Sequence, residues 1–299
     1  MGSANTGSIT AEDGTCIEFT VQGTGPGLLL TNGLTTTDLF WKYLIPRWQS
    51  HYTIVTWDLP GHGISSPARS EYTATIEAQP ALMAKVMDAV GLTTAIQGAF
   101  SVGCQIALEM ARQFPERCDA LLLLLGAAQH VLSTTRLPIP GPLLLRLLRD
   151  TPDEYFVPFA RGFASLAKTA LSFHGARAIG LVGKQASRRD IDDMTEHLSV
   201  LDPGTIRRMA ASAEAHSAFN VLGSLTMPLL IMAGDRDPFA PAQTVGWPMH
   251  RAAPTSEFVR LKHGTHTALL DDPEPIAEIV EQFLARRLNQ PALTDDRPA

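Results

Sequence analysis

The sequence predicts an α/β fold in which a mostly parallel central sheet is covered by helices and carries an inserted helical cap. Three observations lead to this prediction. Short, continuously apolar runs alternate with helix-like stretches, as buried parallel strands and their crossover helices do. The alternation stops after residue 128 and resumes after residue 223. A serine, Ser101, stands at the turn between one apolar run and the helix-like stretch that follows it.

The first half of the chain supplies most of the predicted sheet. An opening hairpin is predicted over residues 8–22, because Asp13-Gly14 offers turn chemistry between two strand-like runs. Further strands are predicted at 27–31, 52–57, 94–96 and 121–125, and helices at 37–48, 76–90 and 104–111.

A long helical stretch interrupts the strand pattern. Residues 129–223 show no convincing strand, so we predict a core formed by 1–128 and 224–299 and a cap formed by 129–223. Strands at 228–233 and 257–261 and a helix at 276–287 complete the core. Because open α/β sheets bind ligands beyond the carboxyl ends of their strands, an insertion there would cover the binding site.

Composition excludes several classes of function. The 299 residues are 45% hydrophobic and 18% charged, as in an ordinary globular enzyme, and the formal charge of −6 argues against a nucleic-acid partner. The longest apolar run, 121–128, is too short to span a membrane. The start of the sequence lacks the regions of a signal peptide, and three cysteines show no metal-like spacing. We expect a cytoplasmic protein with a small-molecule substrate and neither a nucleic-acid nor a membrane partner; the sequence does not indicate its oligomeric state.

Ser101 has the surroundings of a nucleophile elbow. It lies in Ala99-Phe100-Ser101-Val102-Gly103, between a strand and a helix, with a small residue two positions away on each side. Bulky side chains at those positions would collide with the crossing strand and helix. The first is an alanine where glycine is usual. The following helix would direct its free N–H groups toward negative charge developing at the serine.

Such a serine needs a base, and the base needs an orienting acid. The loop after the predicted strand 228–233 contains Asp235 and Asp237. We favour Asp237 as the acid because it lies further beyond the strand end. Asp235 is expected to cap the turn or to pair with Arg236.

The histidine is expected in the loop after the last strand. His263 and His266 are the candidates there, and we favour His266 for the same reason of distance from the strand. His263 is expected to be structural. Serine, acid and histidine then follow one another in the chain order that this type of fold requires.

An oxyanion site requires two N–H donors. We expect one from the backbone of Val102 and one from Leu34, where Gly33 lets the backbone approach closely. Residues expected to contact the substrate are Asn32, Gly33, Phe100 and Trp41.

Together these segments resemble the α/β-hydrolase superfamily over nearly the whole chain, which implies the α/β-hydrolase fold. The matching segments are 32–34, 58–63, 99–103, 234–238, and His266 with the acidic-Pro pair at 272–273. In that family the acidic-Pro pair singles out His266, and the Gly-x-x-Asp pattern singles out Asp237. Asn32-Gly33 replaces the common His-Gly and is similar to the corresponding loop of 3-oxoadipate enol-lactonase-like proteins.

The predicted reaction is hydrolysis of a hydrophobic carboxylic ester or lactone through an acyl-enzyme, without metal or cofactor. Two alternatives use the same three residues, namely hydrolysis of a carbon–carbon bond and acyl transfer to an alcohol or amine. A third is a non-catalytic, hydrolase-like ligand-binding protein. The presence of Ser101, Asp237 and His266 argues against that third alternative.

Overall fold

A computed structural model describes residues 4–136 and 140–288 of the chain. Within them, eight strands form one sheet in the order β1-β2-β4-β3-β5-β6-β7-β8. The first two strands run antiparallel to their neighbours and the other six are parallel, which confirms the predicted fold class. The strands are β1 Asn5–Thr10, β2 Cys16–Gln22, β3 Gly27–Thr31, β4 Thr53–Trp57, β5 Ala95–Phe100, β6 Cys118–Leu124, β7 Leu229–Gly234 and β8 Ser256–Leu261.

The register brings the carboxyl ends of the central strands to one level. Thr31 of β3 lies opposite Trp57 of β4 and Ala99 of β5, and Ala99 lies opposite Leu123 of β6. Consequently the loops that follow these strands leave the sheet side by side along one edge.

Helices cover both faces of the sheet, and each face has its own apolar core. Because side chains alternate along a strand, Leu29 and Leu28 point into different cores. None of the described helices is both long and apolar enough to cross a bilayer. The helices are α1 Ile45–Trp48, α2 Gln79–Ala89, α3 Gly103–Gln113, α4 Gly141–Asp150, α5 Asp153–Ala167, α6 Ala170–Ala178, α7 Arg188–Leu198, α8 Pro203–Ala215, α9 Trp247–Ala252, α10 Ala268–Asp271 and α11 Pro273–Leu288.

The continuous helix expected at 37–48 is absent. A 3₁₀ turn, Asp38–Trp41, is followed by the separate short helix α1. Pro46, in the first turn of α1, has no N–H to donate to the carbonyl of Lys42, and its ring would collide with that carbonyl in a continuous helix. The proline therefore starts a new helix instead of continuing one.

Helices α4 to α8 form a helical region inserted between β6 and β7. An isolated bridge between Gln129 and Ser217 joins the chain segments that lead into and out of this region. Farther out, the buried carboxylate of Asp190 on α7 accepts hydrogen bonds from the Lys42 ammonium and, at 2.8 Å, from the Tyr43 hydroxyl. The region is thus attached to the core by polar contacts as well as by its chain ends.

Candidate active site

Ser101 occupies a sharp turn between β5 and α3. Its φ is 55°, in the left-handed region that few residues other than glycine adopt. Its N–H donates to the carbonyl of Leu124 at 3.1 Å. A Cβ at Gly103 would lie 2.7 Å from the carbonyl oxygen of Thr31, so the position two residues after the serine has room for glycine alone. Ala99, two residues before it, is fully buried in the sheet.

Three side chains from three different loops meet at this turn. His266 Nε2 lies 3.1 Å from the Oγ of Ser101. On the other side of the ring, Nδ1 lies 2.9 and 3.0 Å from the two carboxylate oxygens of Asp237. With Asp237 ionised, these partners place the ring proton on Nδ1 and leave Nε2 free to accept the serine hydroxyl proton.

The loop after β7 uses its two aspartates differently. Asp237 is completely buried, and its Oδ1 accepts the backbone N–H groups of Phe239 at 2.8 Å and Ala240 at 3.1 Å. Asp235 instead pairs with the guanidinium of Arg260 at 2.5 Å. The expected pairing of Asp235 with Arg236 is therefore wrong. Because β8 runs beside β7, Arg260 lies next to the start of the loop that contains Asp235.

Aromatic rings enclose the imidazole of His266. The ring centroids of Phe100 and Phe239 lie 5.0 and 4.7 Å from that of the histidine. Phe100 is fully buried and also stacks on Phe40. His263, the other histidine of this loop, is exposed to solvent.

The segment around His266 is held by the half-buried carboxylate of Asp271, which the sequence analysis does not single out. Asp271 accepts hydrogen bonds from the hydroxyls of Thr265 and Thr267, the two neighbours of His266 in the chain. Burial raises the pKa of Asp271, and the two hydroxyl hydrogen bonds oppose this rise. The hydroxyl of Thr267 also accepts the N–H of Gly183 in the helical region at 3.2 Å. In the sequence, the threonines on each side of His266 are the feature that could have indicated these hydrogen bonds to Asp271.

The loop after β3 comes close to the serine. A Cβ at Gly33 would lie 2.8 Å from the Cβ of Ser101 and 3.2 Å from the ring of Phe100. Leu34 follows on this loop, and Val102 begins the turn into α3, so the two backbone segments expected to donate N–H groups flank the serine.

Asn32 and Trp41 lie behind this loop. Both side chains are buried, and the Trp41 indole N–H donates to the amide oxygen of Asn32 at 2.8 Å. The amide nitrogen of Asn32 donates to the carbonyl of Trp57 at 3.2 Å. The structure thus gives both residues a part in supporting the loop, and their expected contact with substrate stays a prediction.

Left-handed backbone at residues other than glycine is concentrated at this edge of the sheet. Among the described residues other than glycine, five have positive φ, and each lies in a loop that follows the carboxyl end of a parallel strand. Residues held in this conformation often mark functional sites. The five are Thr35, Ser101, Leu125, His130 and His263.

In the described residues, no group of three or more His, Cys, Asp or Glu side chains is arranged to hold a metal ion. The groups that hydrogen bonds bring together at this edge are a serine hydroxyl, an imidazole and a carboxylate.

Comparison with known proteins gives one family and several distant relatives. The model of the family described as alpha/beta hydrolase fold matches residues 26–273. A pimeloyl-[acyl-carrier protein] methyl ester esterase of Xanthomonas campestris is 26% identical over 282 residues, covering 89% of this chain and 97% of its own.

Two solved structures illustrate the likeness in fold. A thermophilic esterase from Thermogutta terrifontis has a TM-score of 0.75 at 20% identity, covering 94% of this chain and 98% of its own. The enol-lactonase from Burkholderia xenovorans has a TM-score of 0.72 at 18% identity, covering 93% of this chain and 100% of its own.

Proposed function

The chain belongs to the α/β-hydrolase fold family, and we propose that it is a serine hydrolase that cleaves a hydrophobic carboxylic ester or lactone. The observation that carries the proposal is the unbroken series of hydrogen bonds from Ser101 through His266 to Asp237. The distant relatives described as esterases and as an enol-lactonase support the same class of reaction.

The proposed first half-reaction is acylation of Ser101. His266 Nε2 accepts the hydroxyl proton while Oγ bonds to the substrate's carbonyl carbon, giving a tetrahedral oxyanion. The imidazolium then donates this proton to the leaving oxygen as the ester C–O bond breaks. Asp237 keeps the ring in the required tautomer and stabilises its positive charge, and its complete burial makes this interaction strong.

In the second half-reaction, water attacks the acyl-enzyme. His266 accepts a proton from the water, the new C–O bond forms, and the serine oxygen leaves with the proton returned by the imidazolium. We propose that the N–H groups of Leu34 and Val102 bind the oxyanion in both halves. Loss of one such donor lowers kcat by about 10²–10³ in comparable sites.

The apolar surroundings support a hydrophobic substrate. Phe100 and Phe239 flank the imidazole, and the helical region carries large exposed apolar side chains such as Leu143, Tyr155 and Phe159. Nitrophenyl esters of increasing acyl length test this preference. We expect kcat/KM to rise beyond acetate, whereas a steady fall with length would contradict a hydrophobic acyl site.

A fluorophosphonate probe tests the proposed nucleophile directly. Wild-type protein should be labelled and should hydrolyse nitrophenyl esters, and Ser101→Ala should do neither. Ser165→Ala is a suitable control because Ser165 is exposed on α5, so its label and activity should equal those of the wild type. Folded wild-type protein that takes up no probe would refute the proposed function.

A further inference from the structure

His62 lies in a segment that follows β4 and packs beside the loop after β3. Its side chain is completely buried. One ring nitrogen, Nε2, lies 2.9 Å from the backbone nitrogen of Thr35, and the other, Nδ1, lies 2.9 Å from the carbonyl oxygen of Pro60. In the sequence, His62 reads as a structural residue of a glycine-rich turn.

These two partners determine the protonation of the ring. The carbonyl of Pro60 only accepts, so Nδ1 must carry a proton. The N–H of Thr35 only donates, so Nε2 must be unprotonated. Burial favours the same neutral form, lowering the pKa of His62 to about 4. His62 is therefore a fixed hydrogen-bond acceptor for the loop after β3.

The hydrogen bond from Thr35 to His62 fixes one end of Gly33-Leu34, the two residues of the loop that approach the serine. Thr35 has a φ of 63°, a conformation that needs support from its surroundings. The Thr35 nitrogen belongs to the same planar peptide as the Leu34 carbonyl, so holding it fixes the peptide plane on the carboxyl side of Leu34. Gly33, just before, is in close contact with Ser101.

The other end of Gly33-Leu34 is held by the end of β4, in the same chain segment that contains His62. Asn32 donates to the carbonyl of Trp57, and the Trp57 indole donates to the hydroxyl of Thr31 at 3.1 Å. Since Trp57 ends β4 and His62 follows five residues later, one segment holds the loop both before and after Gly33-Leu34.

We propose that His62 is a positioning residue for the oxyanion site. By accepting the N–H of Thr35, it holds the Leu34 N–H where the substrate oxyanion develops, and it transfers no proton itself. This inference rests on the proposed hydrolase function. A histidine that only fills space would affect stability alone, whereas this role requires an effect on the transition state.

Two polar replacements separate the two hydrogen bonds of His62. The amide of Gln reaches about as far as Nε2, so His62→Gln keeps an acceptor for Thr35. The shorter amide of Asn reaches about as far as Nδ1, so His62→Asn keeps the bond to Pro60 and loses the one to Thr35. For a nitrophenyl ester, we expect His62→Asn to lower kcat by about 10²–10³ with KM changed less than about threefold. His62→Gln should recover at least about tenfold of that loss.

The rate constant for fluorophosphonate labelling of Ser101 provides the second readout, because the tetrahedral adduct uses the same N–H donors. It should fall in His62→Asn in parallel with kcat and recover in His62→Gln. Circular dichroism establishes that each variant is folded, and His62→Leu replaces His62→Asn if the latter is not.

If the wild-type protein is labelled normally, either of two results overturns the proposed role of His62. One is a His62→Asn or His62→Leu variant whose kcat and labelling rate lie within about twofold of wild type. The other is a His62→Gln variant no more active than these. Wild-type protein that is not labelled at all overturns the proposed function itself, and the role of His62 with it.

Discussion

Gly33→Ala is expected to impair catalysis without unfolding the protein. The added Cβ would lie 2.8 Å from the Cβ of Ser101 and 3.3 Å from the carbonyl oxygen of Phe100. Carbon atoms in contact prefer separations of about 3.5–4.0 Å, so the loop or the serine must move by about 0.7 Å or more. Both Ser101 Cβ and the Phe100 backbone are held by the elbow, which leaves the loop after β3 as the part that moves.

The size of the effect follows from hydrogen-bond geometry. A donor about 2.9 Å from the oxyanion would be moved to about 3.6 Å, where little of the bond remains. Loss of one donor from an oxyanion site lowers kcat by about 10²–10³, or about 2.7–4 kcal/mol of transition-state stabilisation. We expect this loss in kcat for a nitrophenyl ester, with KM and the circular dichroism spectrum close to those of the wild type.

Gly162→Ala is the matched control. Gly162 lies in α5 and a Cβ there meets no atom within 4 Å, so the same chemical change should leave kcat unaffected. Replacing a helical glycine by alanine should also stabilise the helix by up to about 1 kcal/mol. A Gly33→Ala enzyme with wild-type kcat would show that the loop after β3 does not supply the oxyanion donor.

Three further predictions concern charged side chains. Asp237→Asn should lower kcat by about 10⁴, measured on a nitrophenyl ester, because the amide favours the wrong tautomer of His266; a loss under tenfold would exclude Asp237 as the orienting acid. Burial raises the pKa of Asp58 to about 6, so between about pH 4 and 6 the folded state binds more protons and stability falls as pH rises. Asp58→Asn should remove this slope and stabilise the protein at pH 7 by at most about 3 kcal/mol in urea unfolding; an unchanged slope would contradict this. Asp190→Asn weakens the contact with Lys42 and should destabilise by about 1–2 kcal/mol and speed limited proteolysis of the helical region; cleavage at the wild-type rate would refute it.

The interior parallel strands β3 to β7 could be predicted from the sequence because they are buried on both faces, unlike the edge strand β8. Such strands are continuous apolar runs, and the expected 27–31 matches β3 residue for residue. The helix at 37–48 could not be predicted correctly from its apolar pattern alone, since Pro46 divides a stretch whose buried residues otherwise suit a helix.

The candidate site was predictable as far as it depends on chain order. Ser101, Asp237 and His266 lie just beyond strand ends, and a parallel sheet brings such loops to one edge. Contacts between segments could not be predicted, because they depend on which strands are neighbours. The pairing of Asp235 with Arg260 needs β8 beside β7, and the contact of His62 with the loop after β3 needs β4 beside β3.

The positive φ angles at this edge lower the stability of the folded protein, and the one at Ser101 belongs to the proposed nucleophile. A left-handed conformation costs a residue with a side chain about 1–3 kcal/mol, and Thr35, Ser101 and His263 all adopt it in loops near the imidazole. Glycine at these positions would relieve that cost. Laboratory evolution that selects only for survival at high temperature should therefore favour glycine at position 101 and yield proteins that tolerate heat but have lost the nucleophile and with it their activity.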